Sequence, residues 1–393
     1  MKEIKRCLQF FAGIAERIYL TLAFQIFSAS GRLPSAIRKA FLYFLLFSVP
    51  FILRLSYAFY FCPIVLVPDE FLYPHCGKLY INGMLTGDFS VFAVNSEHPP
   101  LSKLLTGVFV LTFTRVGLTE IQSLRLQDSL FGALTCILVY FFGLKLNHKV
   151  GWLSWLFLTF DWASIKDVIA SLDVTCLFFL TLSIFYLFDF FNEREYSQLL
   201  LSGIFFGLAF LSKYVALPIF LGAYLLWLAY RKIPIRDGIR NLLFLLVVGS
   251  VVLIAGNPLL WSAKGWTVAY NRQVEMGHGA TFLGFMLDSF AQRKLVMVAI
   301  WNFSLSLFAL MLFPLGRILD SFLIWVMFAL FVFTAYKRRS FQGEEMLFFL
   351  WFASGFVFYW FLAKQLFYYV IVFYPPLALY CSLAIVNIWR EKR

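Results

Sequence analysis

Apolar runs recur along most of the chain, at about 40–66, 124–144, 150–163, 174–191, 199–212, 214–230, 240–257, 296–315, 318–336, 346–363 and 366–388. Most are close to the length of a membrane-crossing helix, and polar connectors separate them. At ~20 residues per crossing, a chain of 393 residues holds about ten to twelve spans. The expected fold is therefore an all-α polytopic membrane protein. Two stretches break the pattern. Residues 67–100 are the most polar part of the chain, and 258–295 form a second long polar loop. The run at 101–115 is apolar but short.

The connectors alternate in charge. LKLNHKVG (144–151) and YRKIPIRDGIR (230–240) are basic and read as cytoplasmic. DWASIKDVIASLD (161–173) carries three Asp and reads as external. Those signs agree only if 101–115 does not cross, so it is expected to lie flat as a juxtamembrane helix in the first external loop. KRRS (337–340) and the C-terminal WREKR both look cytoplasmic, which requires that 296–315 or 318–336 not cross fully, or that the 258–295 loop hide another segment. Four segments result. Residues 1–39 form a basic amphipathic cytoplasmic segment, and 40–257 a catalytic transmembrane module with external loop 67–123. A second external loop covers 258–295, and C-terminal transmembrane helices cover 296–393.

Composition sharpens this reading. The chain is 62% hydrophobic and only 14% charged, so it has too little polar surface for a water-soluble enzyme, a disordered chain or a secreted disulfide scaffold. The net charge of +12 would suggest nucleic acid on a soluble domain. Here it reads as cytoplasmic loops obeying the positive-inside rule, with room for a basic pocket facing an anionic lipid head group. Six Cys form no CxxC and four His form no HxxxH, which argues against a Cys/His zinc site. Most of the Cys are expected to be inert small hydrophobes; Cys62 and Cys76 can pair only if their loop is extracytoplasmic.

With so few charges, those in or beside apolar runs stand out. Arg54 lies inside the first span, where an arginine must face protein or water. Asp69 and Glu70 follow that span directly, and a carboxylate at a membrane boundary can accept a proton from a hydroxyl; the plainer reading is a solvated loop start. In Glu97-His98-Pro99-Pro100-Leu101-Ser102-Lys103 the prolines forbid helix before Leu101. They aim His98 and Lys103 around one helix start, which suits a phosphate; the alternative is an ordinary Pro-initiated helix. Arg125 opens a span, Asp173 stands at the mouth of another, and Lys213 and Lys364 are lone cations that would otherwise snorkel to head groups.

Singly these signals are weak, but their order is specific. The chain runs Arg54, Asp69-Glu70, His98-Pro99-Pro100-Leu101 with Lys103, Arg125 with Gly132, Leu172-Asp173, then Gly203, Gly207, Lys213 and Tyr214. A looser match follows in Lys364 and Tyr368 ahead of a Pro pair. This order resembles the dolichyl-phosphate-mannose protein O-mannosyltransferase family of C-type polytopic glycosyltransferases. The chain has no soluble insert in 258–295, where eukaryotic members carry a lectin-like module, so it looks like a compact archaeal or bacterial relative.

The resemblance implies transfer of a sugar, with mannose expected, from a polyprenyl or dolichyl phosphate to a hydroxyl on the external or lumenal side, with inversion. The acceptor is a protein, glycan or lipid, and no nucleic acid is involved. Asp69 and Glu70 are the catalytic candidates, which of them acts as base being open. Arg125, Lys213, Lys364 and Tyr368 are expected at the donor phosphate. His98, Lys103, Asp173 and Glu97 are expected to serve acceptor or structure. Some relatives use a divalent metal; if one is held here, Asp69, Glu70 and Asp173 are its oxygen donors. A multi-pass protein of a prokaryotic plasma membrane is expected, or of the ER membrane in a eukaryote. The competing class is a transporter, but no inverted repeat is visible and the carboxylates gather in loops.

Overall fold

The computed structural model describes residues 35–61, 69–96, 98–166, 168, 172–275, 323, 326–327, 329–330, 343–362 and 374–390. Among these, the chain forms helices and short turns and no strand. That follows from the solvent: in hydrocarbon every backbone N–H and C=O must be bonded within its own segment, which an α-helix achieves. Four of the described helices are long and apolar enough to cross a membrane, at Lys39–Tyr60, Glu120–Leu146, Leu172–Glu193 and Ile235–Gly256. Apolar helices at Tyr196–Ser212 and Ala216–Arg231 are shorter. The chain is an all-helical, multi-pass membrane protein, as its apolar runs predict. The expected N-terminal segment before residue 35, the second external loop beyond 275, the run 296–315 and most of 318–336 lie outside the described residues.

Helix α1 (Ser35–Ser56) contains Pro50 and ends in a π-helical turn, Tyr57–Phe61. Proline has no N–H, so the carbonyl four residues earlier loses its partner. That carbonyl belongs to Leu46, and the buried Trp155 indole donates to it at 3.0 Å. The interruption is thus satisfied by a neighbouring helix.

The polar stretch expected as loop is helical over more than half its length, forming α2 (Asp69–Thr86). Two acids in its first turn suit the positive end of the helix dipole. Helix α3 (Leu101–Phe113) begins behind the Pro pair, as the prolines predict. Its 13 residues reach about 20 Å, too short to cross a ~30 Å hydrocarbon core. The two helices meet backbone to backbone at a pair of glycines. A Cβ on Gly77 would lie 2.4 Å from the Lys103 carbonyl oxygen, and one on Gly107 would lie 2.3 Å from that of Gly77. Beneath them Cys76, Tyr80 and Phe92 pack with Leu259, Leu260 and Ala269, forming a small core separate from the bundle.

The main bundle is built on α4 (Glu120–Leu146), which starts in a capping box between Thr119 and Gln122. Helix α5 (His148–Phe160) turns back against it, the short α6 (Trp162–Lys166) follows and meets the end of α1, and α7 (Leu172–Glu193) crosses beside α4. Next come α8 (Tyr196–Ser212), α9 (Ala216–Arg231) and α10 (Ile235–Gly256). Gly203 and Gly207 of α8 let Val248 and Val252 of α10 close on it, the small-residue packing common between membrane helices. The opposite face of α10 leaves Ile235, Ile239, Leu243, Val247 and Val251 exposed, an apolar stripe suited to lipid. Helix α11 (Ala263–Glu275) follows, and α12 (Gly343–Leu362) and α13 (Tyr374–Arg390) pack on the bundle. Cys136, Cys176 and Cys381 are buried free thiols, and Cys62, of the conditional Cys62–Cys76 pairing, lies outside the described residues.

Candidate active site

Asp69 and Glu70 are adjacent in sequence but differ in environment. Glu70 is 1% exposed, and both its oxygens accept from the buried Arg125 guanidinium, Nε to Oε1 at 2.6 Å and Nη2 to Oε2 at 3.0 Å. Arg125 Nη1 also donates to the Ala58 carbonyl at 2.9 Å, in the π turn ending α1. One guanidinium therefore ties the end of α1, the start of α2 and the body of α4. Asp69 is exposed and forms no hydrogen bond or ion pair with the described residues. At the first position of α2, its carboxylate sits beside the fixed Glu70–Arg125 pair and is itself unengaged.

A second buried pair stands nearby. Asp173, in the first turn of α7, accepts from Lys213 Nζ at both oxygens, 2.6 and 2.7 Å. Lys213 is where α8 stops: its backbone is extended, φ −157°, and its side chain turns inward to α7. Asp69 is close enough for its charge to be felt at Asp173. The structure thus gathers Asp69, Glu70, Arg125, Asp173 and Lys213, with Asp69, which has no partner among the described residues, set by two paired carboxylates.

Lys103 has a different neighbourhood. It is fully buried, and Nζ donates to the Asn95 carbonyl at 2.5 Å, the His98 carbonyl at 2.8 Å and the Tyr80 hydroxyl at 3.4 Å. Tyr80 in turn donates to the Val94 carbonyl. Lysine and tyrosine together staple the 94–98 turn, in which Asn95 takes the left-handed conformation, φ 55°, that Asn tolerates. The staple presents the His98 ring edge-on to Tyr73, centroids 6.4 Å apart, on the turn of α2 that follows Asp69. Lys103→Met is expected to cost about 1–3 kcal/mol, the penalty for stranding buried carbonyls. Thermal unfolding measures it, with faster amide exchange over 94–101; an unchanged exchange pattern would refute the staple.

Of the remaining expected site residues, Glu97, Lys364 and Tyr368 lie outside the described residues. Among the described residues, no group of three or more His, Cys, Asp or Glu is placed to hold a metal ion. The expected donor set does not fit one as arranged, because Glu70 is committed to Arg125 and Asp173 to Lys213. Sequence reasoning passed over Tyr73 and Tyr80, whose aromatic character looks like packing. It also passed over Gln127 and Asp128, fully buried in α4, where Gln127 donates to Thr175 of α7 at 3.2 Å. The visible signal for these was a polar Gln-Asp-Ser run inside an apolar span.

Chemically, the arrangement offers a carboxylate without a partner among the described residues at a helix start, next to paired charges. It can accept a proton from a polar group docked at the start of α2.

Residues 97–261 match the family model described as dolichyl-phosphate-mannose-protein mannosyltransferase. The fold is similar to that of ArnT from Cupriavidus metallidurans. The apo structure aligns with a TM-score of 0.58 and the one bound to undecaprenyl phosphate with 0.54, each at 15% identity. Both cover 91% of this chain, which spans only 62% of the ArnT chain. A looser likeness, TM-score 0.49 at 15% identity, joins 88% of this chain to 49% of the Archaeoglobus fulgidus oligosaccharyltransferase. No curated protein matches the sequence.

Proposed function

From a chain whose residues 97–261 carry the mannosyltransferase family's segment and whose fold is that of ArnT, we propose a membrane glycosyltransferase. It moves a sugar, mannose in the first instance, from a polyprenyl or dolichyl phosphate to a hydroxyl on a protein, glycan or lipid at the external face of the membrane. The observation that carries this reading is the contrast between Asp69, exposed and without a partner among the described residues, and Glu70, buried against Arg125.

In this reading Asp69 is the general base. The acceptor O–H gives its proton to an Asp69 oxygen as the acceptor oxygen bonds to the anomeric carbon. The bond from that carbon to the phosphate oxygen breaks, and its electron pair leaves with the lipid phosphate. That leaving group is already anionic and needs no general acid. A single displacement from the opposite face inverts the anomeric centre.

Arg125 takes a positioning role in place of the expected phosphate contact, because its guanidinium is committed to Glu70 and to the Ala58 carbonyl. In this reading Lys213, which is paired with Asp173, is joined by Lys364 and Tyr368 at the donor phosphate. Cations around a departing phosphate stabilise the charge that develops on it. His98, set by the Lys103 staple one turn from Asp69, and Glu97 beside it, hold the acceptor.

The deciding experiment is an assay of the purified chain in lipid nanodiscs with a panel of polyprenyl phosphate sugars and mixed hydroxyl acceptors, read by mass spectrometry. Growth of one glycosylated product with loss of one donor is expected. Hydrolysis or transport of donor with no glycosylated product would overturn the assignment.

A further inference from the structure

Arg54 lies away from the carboxylate cluster and has no part in the reaction proposed above. It sits in the membrane-crossing part of α1 and is 2% exposed. Its contacts are all neutral. Nη1 donates to the Pro50 carbonyl at 3.3 Å, and Nη2 to the Leu158 carbonyl at 3.3 Å and the Ser164 hydroxyl oxygen at 2.8 Å. Among the described residues no carboxylate reaches the guanidinium. The nearest by connection is Asp161, whose two oxygens accept backbone N–H groups from Ser164 and Leu323, at 3.1 and 3.3 Å. A buried charge without a contacting counter-charge is costly in a low-dielectric interior.

The donor count points the same way. A guanidinium has five N–H donors, and the three oxygen contacts use three of them. Cys136, whose sulfur is a weak acceptor, lies against the group. Ser164 receives a bond from Arg54, and its own hydroxyl proton has no acceptor among the described residues. Thr135 gives its proton to the Phe131 carbonyl. Room for the arginine is made by Gly132, where a Cβ would fall 2.7 Å from Arg54 Nε.

Beside these donors is a small, partly open pocket of about 20 Å³, lined by Arg54, Gly132, Thr135, Leu158, Ser164, Val168, Val174 and Leu177. That volume admits one water-sized occupant. Its walls hold a positive charge and spare donors on one side and aliphatic carbons on the other. An occupant that only accepts hydrogen bonds, carries a negative charge and tolerates apolar neighbours fits such walls better than water, which must also place two protons. We propose that this pocket is a binding site for a small monovalent anion of chloride size, held by the Arg54 guanidinium and the Ser164 hydroxyl. The ion joins α1, α4 and the α5–α6 corner by neutralising the charge they share.

The test uses the full-length protein in nanodiscs of zwitterionic lipid, at fixed ionic strength, with chloride replaced by gluconate, which is too large for the cavity. Adding chloride or bromide back is expected to raise the melting temperature along a saturable curve. Bromide should give an anomalous diffraction peak within contact distance of Arg54. Ser164→Ala keeps the arginine and removes the hydroxyl donor, so the half-saturating chloride concentration should rise about tenfold, the loss of one hydrogen bond to a charged group. Arg54→Gln should abolish the chloride response; if that variant does not fold, the Ser164→Ala titration decides alone. Identical melting in chloride and gluconate, an unchanged half-saturation in Ser164→Ala, or a bromide peak elsewhere would each overturn the site.

Discussion

Asp69→Asn is expected to lower sugar transfer by a factor of about 10²–10⁴, the usual contribution of a positioned base. Unfolding free energy should stay within about 0.5 kcal/mol of the parent, as for other exposed positions without partners. The substitution keeps shape and hydrogen-bonding capacity and removes the ability to take a proton. Because Asp69 has no hydrogen bond or ion pair among the described residues, nothing structural is broken with it. Initial rates at saturating donor and acceptor, alongside thermal unfolding, separate the two effects. Wild-type turnover in a purified, folded Asp69→Asn protein would remove Asp69 from the chemistry.

The second large effect lies one residue along and has the opposite signature. Glu70→Gln and Arg125→Leu are each expected to destabilise the protein by about 3–5 kcal/mol, because each strands the other member of a fully buried, doubly bonded pair. Arg125→Leu also frees the Ala58 carbonyl and so loosens the end of α1. The double variant Glu70→Gln/Arg125→Leu leaves no uncompensated charge and should recover much of the loss, giving a large favourable coupling in a double-mutant cycle. Denaturant unfolding of the four proteins measures it. Two single variants each within 1 kcal/mol of the parent would show that the pair does not hold α2 in place. Together the experiments distinguish a residue that performs chemistry from its neighbour that supports it.

Much of the architecture was legible beforehand. Arg54, the Asp69-Glu70 pair, the Pro pair ahead of α3 and the cation at Lys213 all stand out because charged and helix-breaking residues are scarce in a chain this apolar. The break between α8 and α9 falls at Lys213, and α3 starts at Leu101. Helix α2 was harder to see. Its 69–86 stretch carries Pro74, two early acids and polar residues all round, so no apolar stripe announces it. It is held as a helix by its glycine contact with α3 and by Arg125. Lys103 was misleading in another way: a lysine behind a Pro-initiated helix start suggests a phosphate, yet here its ammonium is enclosed by two carbonyls and a tyrosine hydroxyl.

By itself the sequence determined the solvent, the helical class and the short list of ionisable residues able to do chemistry. These follow from local quantities: the length of apolar runs, the missing N–H of proline, and the cost of charge in hydrocarbon. Only the tertiary structure decided the partners. Glu70 meets Arg125 across 55 residues, and Asp173 meets Lys213 across 40. No local pattern encodes which carboxylate a distant cation will reach, because helix packing sets that distance. With those two pairings made, Asp69 is the carboxylate of this cluster left without a partner among the described residues, and that difference from Glu70 is a property of the fold alone.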